Sequence, residues 1–208
     1  MKEERGFMLP TVQFGAEDVF VIEDWDSVPI GPYRALFHYS ADGHRTLFAS
    51  TEKALDFVPY IHRFDEKHLA KVESKRGANS WSMTVDAGDA GRFEIDLQYE
   101  ENLILKLGNL VLPFLPKFIA LNPIYLKTVP KVAGPLLGMG PNLKTFGRTE
   151  AGTMVYMVLE KIYMVTGGKC VMNGKDLGAV TDCTFHHDLG ELVLIPKPIV
   201  SRLRLYFE

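Results

Sequence analysis

The sequence predicts a mainly β protein (β-rich α+β): an antiparallel meander sheet curled into a closed barrel or cone, with a few short helices. Three observations lead there. Short runs of β-branched and aromatic residues recur along the chain and stop at turn-forming residues. Residues 92–99 alternate in strict period two, with Phe93, Ile95 and Leu97 on one side and Glu94, Asp96 and Gln98 on the other. Two strand-rich blocks flank one proline-broken apolar stretch, so the blocks can join into a single curved sheet, and one domain over residues 1–208 is expected.

The elements follow in order. Residues 17–22 and 32–39 read as strands. Residues 40–43, Ser-Ala-Asp-Gly, make a hairpin turn into a returning strand at 45–49. Ser50 or Thr51 can cap a short helix over 51–58, with Glu52 favourably placed for the helix dipole and Pro59 limiting its extension. Residues 81–87, the turn Gly-Asp-Ala-Gly at 88–91, and 92–99 form a hairpin. Residues 153–166 fit a strand or a buried helix; the abundance of Val, Tyr, Ile and Thr favours the strand. Further strands are expected at 170–174, 179–187, 191–196 and 201–207. Gly138, Gly140, Gly167 and Gly168 lack the strand-then-helix context of a dinucleotide fingerprint and read as turns.

Residues 103–146 are rich in Leu, Val, Phe and Ile but interrupted by Pro113, Pro116, Pro123, Pro130, Pro135 and Pro141. Such spacing excludes a regular helix and allows short helical turns. Lys106, Lys117, Lys127, Lys131 and Lys144 punctuate it. The segment reads as a core-covering excursion, as a lid or pocket wall, or as a membrane-surface patch, in that order.

Composition bounds the function. With 47% hydrophobic residues the chain can build a core, and a net charge of −3 with mixed signs offers no field for a nucleic acid. No apolar run reaches the ~20 residues of a membrane span. The first ten residues do not look like a secretory signal, and two cysteines, Cys170 and Cys183, suit buried thiols in a reducing cytoplasm. Cys183, His186, His187 and Asp188 are too local to make a metal site, so no metal is expected. The serines and histidines form no nucleophile-elbow motif. The methionines Met154, Met157, Met164 and Met172 suit core filler, or a pocket for a pliable apolar ligand.

Two stretches carry a family resemblance. Gly31-Pro32-Tyr33-Arg34-Ala35-Leu36 resembles the Gly-Pro-Tyr-x-Glu strand opening of the acetoacetate decarboxylase family. Glu66-Lys67-His68-Leu69-Ala70 resembles that family's Pro-Lys-Lys-Leu-Ala/Gly stretch, whose first lysine forms a Schiff base. The C-terminal residues 191–207 look, more weakly, like the family's last strand. The chain departs at Ala35, where the family has Glu, at Glu66 for Pro, and at His68 for the second Lys. Pro59-Tyr60-Ile61 stands where a Gly-Arg-Glu triplet is usual.

The resemblance implies a lysine-dependent decarboxylase or related enzyme acting on a small β-keto acid or other carbonyl compound. Lys67 would be the nucleophile, His68 or Arg63 its cationic neighbour, and Tyr33, Arg34, Tyr60, Phe64 and Trp81 the substrate contacts and apolar walls. No cofactor is implied, because a protonated imine is itself the electron sink. A homo-oligomer is implied by the family's habit. An ordinary lysine has a pKa near ~10.4, and lowering it to ~7 requires about 5 kcal/mol of penalty on the ammonium. Desolvation or a nearby cation supplies this in the family. Asp65 and Glu66 oppose it, so Lys67 also reads as a surface lysine paired to those acids. The alternative function is a non-catalytic protein of the same fold that binds a hydrophobic small molecule in the barrel cavity. A structural component of an oligomer is a third reading.

Overall fold

The computed structural model describes residues 1–15, 18–140, 143–184, 189–192 and 196–208. Its strands are β1 (Lys2–Phe14), β2 (Asp18–Ser27), β3 (Tyr33–Tyr39), β4 (Arg45–Ala49), β5 (Glu66–Leu69), β6 (Lys71–Arg76), β7 (Ser80–Asp86), β8 (Arg92–Glu100), β9 (Phe146–Arg148), β10 (Met154–Met172), β11 (Lys175–Thr181) and β12 (Ile199–Phe207). Among the described residues four α-helices, besides short 3-10 turns, complete it: α1 (Glu52–Phe57), α2 (Leu103–Val111), α3 (Lys117–Ala120) and α4 (Pro123–Leu136).

The sheet closes on itself, as the sequence predicts. β1 pairs with β12, β12 with β10, β10 with β11, and β11 back with β1, all antiparallel. Two meanders extend from this four-stranded ring, β2–β3–β4–β5 from β1 and β8–β7–β6 from β10. The β4–β5 pair departs from the antiparallel rule and runs parallel, because α1 and the turn after it return the chain to the same end.

Local chemistry explains the hairpins. Asn173 and Gly174 both take positive φ between paired Met172 and Lys175, the geometry of a two-residue primed turn. Thr51 Oγ1 accepts from the Ala54 N–H and caps α1. In β8, Phe93, Ile95 and Leu97 are buried and Glu94, Asp96 and Gln98 exposed, as their alternation requires. Together with Trp81, Met83 and Val85 of β7 they meet Phe20, Ile22, Leu36 and Phe48 of the other meander in one core. The opposite face of β2–β4 packs against α1 and the β10–β12 end in a second core.

Three sequence expectations change. β1 carries no strong strand signal, with four charges at its start and Pro10 in its middle, yet it is a 13-residue strand. It is held by partners on both sides, and Pro10 falls at the register shift between Leu9 and Val12, where a missing N–H is tolerated. Gly6 is required there: any Cβ would collide with the Asp24 carbonyl oxygen and Trp25 Cα. Gly167 and Gly168 form no turn but lie inside β10 beside a bulge, Gly168 facing the Asp96 carbonyl too closely for a side chain. Gly138 and Gly140, by contrast, do take positive φ after α4.

The third change is α4, which runs through Pro130 and Pro135 for 14 residues. Pro123 occupies the first turn, where its missing N–H costs nothing, and Asn122 caps the Ile124 N–H. The inner prolines, Pro130 and Pro135, each lack the N–H that a helix ladder bond needs. The strand expected at 191–196 and the end of that at 179–187 fall largely outside the described residues.

Candidate functional site

Lys67 lies on β5, the outermost strand of its meander, opposite Leu47. Its side chain is exposed, and among the described residues Nζ donates to the Leu55 carbonyl alone, at 3.4 Å. The walls expected around it are elsewhere. Trp81 is fully buried between the meanders, its indole N–H on Ser74 Oγ at 2.9 Å. Tyr33 is buried with its hydroxyl 3.3 Å from both Glu4 and Glu23. Arg34 pairs with Asp24 at 3.4 Å, and Phe64 packs edge-on against Phe37. Tyr60 is half in water beneath Lys2, and Arg63 is exposed. His68 stacks on Phe48 with its ring nitrogen 3.2 Å from Glu66. These eight residues do not converge, and the helical excursion packs on β10 and β12 rather than over β5.

An apolar cavity lies instead under α4. It has a volume of about 120 Å³ and is walled by Val129, Pro130 and Ala133 of α4, Met157, Leu159 and Ile162 of β10, and Ile199 and Leu203 of β12. A second lobe of about 60 Å³ adjoins it and shares Met8, Pro10, Lys144 and Met157. Phe37, Tyr39, Thr11 and His62 add to that lobe. The excursion thus serves as a pocket wall, and of the four grouped methionines Met157 lines the space.

Charge gathers at the smaller lobe. His62 Nδ1 is 3.3 Å from Glu150 Oε1, Arg45 is 3.6 Å from the same oxygen, and the Arg63 backbone N–H donates to it at 3.1 Å. Burial opposes the Glu150 charge, but the hydrogen bond and positive charge of His62 outweigh it and hold the carboxyl below its ordinary range. Burial, with Glu150 nearby, pushes the Tyr39 hydroxyl strongly up, so it stays a neutral donor. Lys144 borders both lobes, and among the described residues no acid pairs with it. The arrangement can hold an apolar body under α4 and place a polar end beside Lys144.

A separate buried group sits near β1. Glu4 and Glu23 both titrate above the ordinary carboxylate value, chiefly because burial penalises their charge. For Glu4, the charge of Glu23 adds to this. The Tyr33 hydroxyl can donate to only one of them.

No protein-family model matches the chain, and no curated protein matches it. Among solved structures it is similar to the acetoacetate decarboxylase of Legionella pneumophila, at 10% identity over 100% of this chain and 84% of that one, with a TM-score of 0.46. It is similar also to a second acetoacetate decarboxylase structure, at 10% identity over 99% and 84% of the two chains, with a TM-score of 0.44.

Among the described residues no cluster of His, Cys, Asp and Glu could hold a metal. His186, His187 and Asp188 lie outside those residues. Cys170 is a buried thiol pushed up to about 12, chiefly by desolvation. Sequence reading named Lys144 only among the lysines that punctuate residues 103–146, and gave no site role to His62 or Glu150. Their only signal is membership in a charge list, because they meet from separate loops.

Proposed function

We propose that this chain, acting as one domain, binds a small and largely apolar molecule with an acidic or carbonyl end. The body would occupy the cavity under α4 and the polar end would face Lys144. The observation that carries this reading is the apolar cavity of about 120 Å³, with the exposed Lys144, which no acid pairs among the described residues, bordering both its lobes. Cavities of ~150 Å³ lined by aliphatic side chains accept a benzene-sized body. The decarboxylase reading, with Lys67 as nucleophile and His68 or Arg63 beside it, has its support in the resemblance of residues 31–36 and 66–70. It requires a desolvated amine, and the exposure of Lys67 favours binding over imine chemistry.

The test is thermal stabilisation by hexanoate and by 2-hexanone. Both ligands should raise the melting temperature of the native chain. Ala133→Leu, which fills the larger lobe, should abolish the shift. Lys144→Ala should weaken hexanoate by roughly tenfold, the scale of one lost charge-assisted contact, and 2-hexanone far less. Lys67→Ala should change neither. Loss of the shift in Lys67→Ala, or borohydride trapping of the ketone on Lys67, would overturn the binding reading in favour of the enzymatic one.

A further inference from the structure

The helical excursion exposes apolar side chains on a scale found nowhere else among the described residues. Apart from Met1, Tyr60 and Leu69, every exposed large apolar side chain among the described residues lies between Leu103 and Leu136. Phe114 and Phe118 are 83% and 78% exposed, at the turn linking α2 to α3. α2 buries Leu105 and Asn109 and turns Leu103, Ile104, Leu107 and Leu110 outward, so it is apolar on both faces. A water-facing helix is expected to carry polar residues there. Exposed patches of this kind mark a surface that something else covers.

The charges say what covers it. From residue 102 to residue 149 the chain contains no Asp or Glu, while Lys106, Lys117, Lys127, Lys131, Lys144 and Arg148 all fall within it. Lys106, Lys127 and Lys131 are exposed on the same helices as the outward apolar residues. A second copy docking through this face would set Lys106, Lys127 and Lys131 against the same lysines, with no acid on the segment itself to separate them; Lys117 already has Glu3 at 3.9 Å. An anionic bilayer surface supplies both missing parts: headgroup charge for the lysines and an acyl boundary for the phenylalanines, with the lysine stems lying along the apolar layer. The longest helix has 14 residues, and none of the described helices is long and apolar enough to cross a membrane. The geometry is that of a face lying on the bilayer.

We infer that residues 103–136 dock the protein onto anionic lipid membranes, with Phe114 and Phe118 inserted at the headgroup–acyl boundary and the lysines on the headgroups. The inference stands apart from the cavity reading, since Phe114, Phe118, Lys106, Lys127 and Lys131 do not line the cavity.

Flotation of the full chain with vesicles tests it. Phosphatidylcholine–phosphatidylserine vesicles should carry the protein up, and pure phosphatidylcholine vesicles should bind it at least tenfold more weakly. Raising salt should weaken binding to the anionic vesicles. The double variant Phe114→Ser/Phe118→Ser should lose binding more than tenfold, and Lys127→Glu/Lys131→Glu should lose roughly tenfold or more. The altered side chains are exposed, so unchanged circular dichroism and melting temperature would verify that both variants fold. Failure of the native chain to float, or equal binding to both vesicle types, would overturn the inference. So would a lipid-free dimer that the phenylalanine variant dissociates.

Discussion

The β7–β8 hairpin and the α2–α4 excursion are both rich in large apolar side chains, yet one buries them and the other presents them to solvent. In β8 every second residue is apolar, and a facing meander covers that side with Phe20, Ile22 and Phe48. In α2 apolar residues occupy both faces, and β10 can cover only one of them. Apolar content therefore sets how much surface seeks cover. The second layer decides how much of it finds cover within the chain.

Truncation measures the contrast most directly. Trp81→Ala, in the hairpin core, should cost about 3–5 kcal/mol. Phe118→Ala, in the excursion, should change stability by no more than about 0.5 kcal/mol. Urea unfolding of the two variants checks this; similar losses would mean that the excursion packs as a core does. A smaller effect is expected where the two regions are tied. Asn109 of α2 donates to the Ile162 carbonyl and accepts the Ile162 N–H, both at 2.8 Å. Asn109→Ala leaves these backbone groups unsatisfied and should cost about 2 kcal/mol. Amide exchange should accelerate in α2 while β7 and β8 stay protected.

The smallest effect concerns a polar group on the strand side. The carboxyls of Glu4 and Glu23 are raised in the folded chain, mainly by burial. Folded protein then holds a proton that the unfolded chain releases. This source of stability is complete below the unfolded value near 4.5 and is lost as pH rises toward the folded values. Glu4→Gln replaces a buried carboxyl, whose Oε2 has no hydrogen-bond partner among the described residues, with a group that cannot ionise. It should stabilise the protein by about 1 kcal/mol at neutral pH, with little gain at pH 4. Melting curves across that range check the sign, and a loss of stability at neutral pH would contradict it.

Much of the strand framework is legible in the sequence. The turn at residues 40–43, the cap at Thr51 and the alternation through 92–99 are each written in a few neighbouring residues. β1 is not legible, because its charged start and Pro10 hide a strand that exists only through ladders to β2 on one side and β11 and β12 on the other. The cavity is hidden for a similar reason. Met8, Ala133, Lys144, Met157 and Leu203 are remote in sequence, and nothing local to any of them signals that they meet. Lys67 shows the reverse: a local motif draws attention to it, but a neutral amine needs walls that only distant segments could supply, and those segments pack elsewhere.

The sequence alone determined the hairpins, the helix cap and the acid-free apolar excursion, because turn dihedrals, side-chain alternation and charge content are properties of adjacent residues. Only the tertiary structure decided which strands close the ring, which lysine borders an apolar space, and which side of the excursion faces outward. Those outcomes depend on desolvation, and a side chain is desolvated by whatever the rest of the chain brings against it.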